Sequence, residues 1–231
     1  MTLEAFRAWL QQLEFDGVWQ TGLLILASLL CITFHEMCHG LTAYWLGDDT
    51  AKRMGRLTLN PLKHVDLSGL LMMAIFRFGW AKPVPVDMRK FKNPKAGMAL
   101  TALAGPVSNV LLAYVAILLY GVCWVWYAKT GSTAAYVVML FFYYVQIISA
   151  GLAVFNVFPI PPLDGSKVLF AFLPNEAYYK LMRYEKYGML LLAVLLFTDV
   201  IDVPLMFMRD GLLTVLQNLG FWPVKLLLPT I

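Results

Sequence analysis

Two of the three histidines of this chain are four residues apart, and a glutamate follows the first of them. They form the sequence HEMCH at positions 35–39, inside the apolar run Thr21–Leu46, which contains no other charged residue. On a helix with 100° per residue, His35 and His39 lie about 40° apart on one face, and Glu36 flanks them. This spacing is typical of two zinc-binding imidazoles with a carboxylate beside the open coordination position. The alternative is a group of polar side chains that satisfy one another inside a helix bundle.

A catalytic zinc ion usually has three protein ligands, so a third is expected elsewhere in the chain. Asp164 is the stronger candidate, because it follows an apolar span that prolines interrupt in the sequence NVFPIPPLDG at positions 156–165. Non-helical backbone at membrane depth is tolerated only where it is buried in protein or lines a wet cavity. His64, in a polar loop, is the other candidate. An ordinary proline turn at a helix end would also explain Asp164.

The composition is that of a polytopic membrane protein. Of 231 residues, 60% are hydrophobic and 14% are charged, and several uncharged runs exceed 20 residues. The net charge of +4 gives no support for nucleic-acid binding, because membrane proteins carry excess Lys and Arg on one side. The three cysteines lie in apolar runs, which predicts buried thiols and no disulfide framework.

The apolar runs predict an all-α fold with about five transmembrane helices. These are Thr21–Leu46, Ala99–Ala128, Ala134–Phe158 and a hairpin of Gly188–Val203 with Leu205–Phe221. We expect one domain over residues 1–231, with a core at 21–170 and the C-terminal hairpin at 188–221.

One apolar stretch is too short to cross the bilayer. Leu67–Phe78 has twelve residues, and the sequence that follows it, Gly79–Val86, contains two prolines and alternating valines. We therefore predict a re-entrant or β-like membrane-embedded segment at 67–87. With the N-terminus outside, fifteen of the 18 Lys and Arg residues then share one face, which predicts that this face is cytoplasmic.

The chain resembles the site-2 protease family of intramembrane zinc metalloproteases. HEMCH in a transmembrane helix and NVFPIPPLDG at the end of a later one carry the resemblance, which covers roughly residues 21–170. Further matches are GRLTLNP at 55–61, the Gly79–Val86 segment and GPVSN at 105–109. The family often carries PDZ or CBS domains, and this sequence shows neither. A bacterial or archaeal plasma membrane is the expected location.

The resemblance implies roles for particular residues. His35, His39 and Asp164 would bind one Zn²⁺ ion, and Glu36 would be the general base. Asn156 falls where the family places a substrate- or oxyanion-binding asparagine, although it could also only cap the broken helix.

The remaining expectations concern the substrate. Asn109 is a second candidate for contact with it. Gly79, Val84 and Val86 could add the substrate to the chain as a strand, or they could belong to an ordinary amphipathic loop. The partners implied are transmembrane protein substrates and the lipid bilayer. A membrane transporter and a non-catalytic protein that binds membrane clients are the competing functions; the base next to the histidines argues against both.

Overall fold

A computed structural model describes residues 18–66, 81–198 and 200–227 of the chain. Predicted features that fall elsewhere, among them Gly79 and most of the re-entrant segment, lie outside the described residues. The α-helices are α1 (Val18–Trp45), α2 (Thr50–Arg53), α3 (Pro94–Thr130), α4 (Thr133–Val157), α5 (Asp164–Ala171), α6 (Asn175–Tyr184), α7 (Gly188–Phe197), α8 (Asp202–Gly220) and α9 (Trp222–Leu227). Short 3₁₀ turns occupy Pro61–Lys63, Met88–Lys90 and Glu185–Tyr187.

Within the described residues, α1, α3 and α4 are the helices long and apolar enough to cross a membrane. The pair α7 and α8 adds a fourth span if it counts as one broken span, because the two helices are bent by 88°. The count is therefore three or four, and the prediction of five does not hold. Helix α7 has ten residues, which is about 15 Å of helix against about 30 Å of hydrocarbon.

The chain divides into two compact units, and each is built from separate stretches of sequence. The first, here called the polar unit, comprises Ile32–Ser108 and Asn156–Gly188. The second, the apolar unit, comprises Met1–Cys31, Asn109–Phe155 and Met189–Ile231. Long helices contribute to both, since α1, α3 and α4 each run from one unit into the other. That the whole chain is one domain stays a prediction.

Small side chains allow close helix packing in the apolar unit. One cluster of buried residues contains Ala27, Cys31, Ala116, Tyr144 and Val145. In a second cluster, Ile117 packs with two alanines and Leu216, and a Cβ added at Gly220 would lie 2.6 Å from Ile117 Cγ2. Helix α8 can approach α3 here only because position 220 has no side chain.

The described part of the predicted re-entrant segment contains no helix before Met88. Val65 and Ala81 form a single antiparallel bridge, and Lys82 N–H donates to the His64 carbonyl over 2.9 Å. From there the chain continues to Asp87 without a turn or a bend. We call residues 81–87 the extended segment.

Candidate metal centre

Three buried side chains of the polar unit meet at one point. His35 and His39 project from α1, and Asp164 is the first residue of α5; their exposed fractions are 7%, 9% and 8%. The two Nε2 atoms are 2.9 Å apart, and Asp164 Oδ2 lies 3.2 Å from that of His35 and 3.1 Å from that of His39. The distant sequence motifs HEMCH and LDG therefore converge on one triangle of ligand atoms.

This triangle has the size of one face of a zinc tetrahedron. Zinc–nitrogen and zinc–oxygen bonds of about 2.0–2.2 Å place neighbouring tetrahedral ligands about 3.3 Å apart. The observed edges of 2.9 to 3.2 Å are close to this value. Two imidazoles and one carboxylate are also a ligand set that catalytic zinc uses. In the described parts of the chain, no other group of three His, Cys, Asp or Glu residues has this arrangement.

A backbone carbonyl fixes the tautomer of His39. Its Nδ1 atom lies 2.7 Å from the Thr101 carbonyl oxygen, which can only accept, so Nδ1 carries the hydrogen. The Nε2 lone pair then faces Asp164 and His35, as a metal ligand requires. Thr101 lies in the α3 turn just before Pro106, whose ring lacks an N–H and opens the preceding turn of a helix.

Gly105 leaves room for both imidazoles. A Cβ at this position would lie 2.6 Å from His35 Cε1 and 2.5 Å from His39 Cε1. Real Cβ atoms do not approach other atoms this closely, so any larger residue would displace the ligands. In the sequence this glycine stood out only through the GPVSN match to the family; the structure shows that it packs against the two histidines.

The broken end of α4 positions Asp164. After Val157 the chain turns through the proline-rich residues 158–163 and restarts as α5. A Cβ at Gly165 would lie 2.6 Å from the Phe158 carbonyl oxygen, so the restart packs tightly on the end of α4. Lys167 Nζ lies 3.7 Å from Asp164 Oδ1, the carboxylate oxygen that does not face the histidines.

Glu36 contacts the extended segment. Its Oε2 atom accepts the N–H of Val84 over 2.8 Å. Val84 is buried, and a Cβ added at Gly40, one helical turn after Glu36, would lie 2.9 Å from Val84 Cγ1. The extended segment therefore rests on the face of α1 that carries the glutamate.

The other predicted site residues are more scattered. Asn156 lies partly buried in the last turn of α4, in the polar unit. Asn109 belongs to the apolar unit, where its carbonyl accepts the hydroxyl of Ser149 over 2.9 Å. Val86 is partly buried in the extended segment. His64 lies outside the ligand triangle, and its Nε2 donates to the Thr58 carbonyl over 2.9 Å.

Two residues around the site gave no signal in the sequence. Arg56 is buried and donates to the carbonyls of Lys82 and Pro83. Asp48 is fully buried and accepts the N–H of Asp87 over 2.6 Å. Both stand in a polar loop, where charged residues are usually solvated. Only the match of GRLTLNP to the family pointed to this region.

Comparison with known proteins gives a consistent result. Residues 119–198 match Peptidase family M50. This stretch contains Asn156 and Asp164. The chain is 38% identical over 183 residues to "Putative zinc metalloprotease YwhC" of Bacillus subtilis, which covers 77% of this chain and 81% of that protein. It is 30% identical over 198 residues to "Putative zinc metalloprotease Rip2" of Mycolicibacterium smegmatis, an alignment that covers 84% of this chain and 73% of that protein. "Putative zinc metalloprotease MJ0611" of Methanocaldococcus jannaschii is 30% identical over 152 residues, an alignment that covers 64% of this chain and 71% of that protein. No solved structure matches the chain.

Proposed function

Because this chain belongs to peptidase family M50, the site-2 protease family, and is an intramembrane zinc protease, we propose that its zinc ligands are His35, His39 and Asp164. The observation that carries the proposal is the triangle of ligand atoms, whose edges of 2.9 to 3.2 Å fit one zinc ion. We further propose Glu36 as the general base, since it is next to a ligand and on the same helix.

The residues have distinct tasks in peptide hydrolysis. Held by His35, His39 and Asp164, a zinc ion would supply Lewis acidity for activating water and polarising the scissile carbonyl. Glu36 takes the proton of the attacking water and passes it to the leaving amine. Thr101 keeps His39 in the ligating tautomer, and Gly105 keeps the space that both imidazoles need. Asn156, near the break that leads to Asp164, would donate a hydrogen bond to the developing oxyanion.

The site lies within a helix that spans the membrane, so the substrates are membrane proteins. His35 is 17 residues after Val18 and ten before Trp45, or about 26 Å and 15 Å from the two ends of α1. With the basic loops on the cytoplasmic face, the shorter distance leads to that side. We therefore place the reaction nearer the cytoplasmic face of a multi-pass membrane protein.

A transmembrane helix must unwind locally before hydrolysis, and its freed backbone then needs new partners. The extended segment can offer them next to Glu36. Peptide groups two residues apart share one edge of a strand, so Val86 lies on the same edge as Val84, whose N–H points to Glu36. Among the described residues no backbone carbonyl accepts the Val86 N–H. We propose that the substrate pairs with Val86 and with the Val84 carbonyl, with Gly79 and Asn109 as further candidate contacts.

The test begins with metal content. We would purify the wild type and Asp164→Asn in detergent and determine zinc per chain by mass spectrometry. Near one zinc in the wild type and clear loss in the variant are expected. The matched control is Asp210→Asn, because the Asp210 side chain is 61% exposed and pairs only with the neighbouring Arg209 among the described residues. Zinc retained by Asp164→Asn would move the third ligand elsewhere, with His64 the next candidate.

A second experiment distinguishes loss of peptide cleavage from loss of zinc binding. Glu36→Gln should keep its zinc and lose cleavage by about 10²–10⁴-fold, the usual contribution of a general base. Cleavage would be followed with dye-labelled casein, an unfolded protein whose backbone needs no unwinding. Equal cleavage by Glu36→Gln and the wild type would contradict the proposed mechanism.

A further inference from the structure

Arg56 is a buried cation with unusual partners. Its exposed fraction is 6%, and its Nη2 atom donates to the carbonyl oxygens of Lys82 and Pro83, over 2.7 and 3.2 Å. Among the described residues it has no ion pair, and its buried Nε has no hydrogen-bond partner. Burying a charge without a counter-ion is costly. The burial of Arg56 against backbone oxygens alone therefore requires a structural or functional explanation.

Part of the explanation is that the extended segment needs side chains to hold its backbone in place. Pro83 and Pro85 have no N–H, so an ordinary ladder of backbone hydrogen bonds cannot hold this stretch. Side chains hold it instead. Arg56 binds the carbonyls near its start, and the fully buried Asp48 accepts the Asp87 N–H at its end.

The decisive point is which peptide group Arg56 binds. The Pro83 carbonyl and the Val84 N–H belong to one planar peptide group and point in opposite directions. Arg56 therefore holds the oxygen of the same peptide group whose N–H donates to Glu36 Oε2 over 2.8 Å. A cation on the oxygen also polarises the group and strengthens its N–H as a donor. The contact of Val84 with α1 beside Gly40 limits the remaining freedom of this residue.

We propose that Arg56 is a positioning residue for Glu36, acting through the Pro83–Val84 peptide group. The proposal rests on the proposed function, because it takes Glu36 to be the general base. Without Arg56 the oxygen of the peptide group loses the contact that holds it, and the Val84 N–H is less firmly directed at Glu36 Oε2. Misplacing a catalytic group or removing an outer hydrogen-bond partner typically lowers activity by about 10- to 100-fold. Zinc binding stays unchanged, since Arg56 contacts none of the ligands.

The first experiment measures whether Arg56 holds the Pro83–Val84 peptide group in place, and it does not depend on enzymatic activity. Hydrogen exchange with mass spectrometry would follow the few amides of the extended segment in the wild type, Arg56→Lys and Arg56→Gln. Exchange should be slow in the wild type, faster in Arg56→Lys and fastest in Arg56→Gln. Arg53→Gln is the matched control, because the Arg53 side chain is 71% exposed and pairs with Asp49. Wild-type exchange in both Arg56 variants would overturn the proposal.

The second experiment measures casein cleavage and zinc per chain in the same variants. The proposal expects a 10- to 100-fold lower kcat in Arg56→Gln, a partial effect in Arg56→Lys, and full zinc in both. Arg56→Lys retains the buried charge and keeps the test decisive if Arg56→Gln does not fold. Loss of zinc, or a higher KM with unchanged kcat, would overturn the positioning role in favour of metal binding or substrate binding.

Failure of the proposed function would look different. In that case Glu36→Gln would cleave casein as fast as the wild type, or the wild type would not cleave it at all. The exchange experiment would still decide whether Arg56 fixes the Val84 amide.

Discussion

The two compact units bury polar groups in different ways. In the polar unit the buried groups include three imidazoles, two carboxylates and a guanidinium, and each has a defined partner, as in His39 with Thr101 or Asp48 with Asp87. In the apolar unit the buried side chains are mostly small or aliphatic, and Asp202 is the buried charged residue among those described there. Among the described residues, buried charge is therefore concentrated in the polar unit, while the apolar unit supplies close helix packing.

Glycines sharpen this comparison, because both units use them for close approach. In the polar unit the neighbours of Gly105 are the two histidines proposed as zinc ligands, and in the apolar unit the neighbour of Gly220 is Ile117. The same substitution should therefore damage function in one unit and only stability in the other.

The largest effect is expected at Gly105. Gly105→Ala would push both imidazoles out of the ligand triangle, and we expect at least about 10- to 100-fold weaker zinc binding. Zinc affinity would be measured by competition with a chelator of known strength. Gly151→Ala is the control, since a Cβ at that helical position meets nothing within 4 Å. Wild-type zinc affinity in Gly105→Ala would show that the ligands tolerate displacement and would weaken the distinction between the units.

An intermediate effect is expected at Asp48. Burial alone would raise its pKa, but hydrogen bonds from Thr50, the Asp87 N–H and Lys90 outweigh burial and lower it. Asp48→Asn replaces an acceptor with a donor, which should cost about 2 kcal/mol and lower the melting temperature by about 4–8 °C. Thermal unfolding in detergent would measure this shift.

The pH dependence of that shift gives a second check. A carboxylate with a lowered pKa stabilises the fold above its unfolded pKa of about 3.9, and this contribution is lost as the pH falls toward the lowered folded value. The difference in melting temperature between the wild type and Asp48→Asn should therefore be constant above about pH 5 and shrink below pH 4. A constant difference down to pH 3 would mean that the charge of Asp48 is not what holds Asp87.

The smallest effect is expected at Gly220. Gly220→Ala would press against Ile117 and cost about 1 kcal/mol, with no change in zinc content. Gly211→Ala in the same helix is the control, because its Cβ would meet nothing within 4 Å. Loss of zinc in Gly220→Ala would contradict the division of tasks between the two units.

The sequence predicted that His35, His39 and Asp164 come together, because its signals are local. A four-residue spacing places His35 and His39 on one helix face, and the three prolines before Asp164 indicate a break in a membrane helix. The zinc protease function and the three long spans followed from the same kinds of signal, motif spacing and run length.

The sequence failed where the outcome depends on partners far along the chain. Two apolar stretches after residue 188 looked like a hairpin of spans, but their hydropathy did not reveal an 88° bend between α7 and α8. Nothing in the local pattern showed that Arg56 would be buried against Pro83, 27 residues away. The role of Gly105 also depends on side chains from another helix.

The prolines of the extended segment have a consequence for self-association. Pro83 and Pro85 fall on the edge opposite to Val84 and Val86, so that edge lacks donors at alternate positions. A strand with donors on one side can accept a single guest strand, but it cannot seed a stack of further strands. If the substrate pairs with the Val84 edge as proposed, the extended segment would take up one unwound polypeptide without starting the edge-to-edge aggregation to which exposed strands are prone.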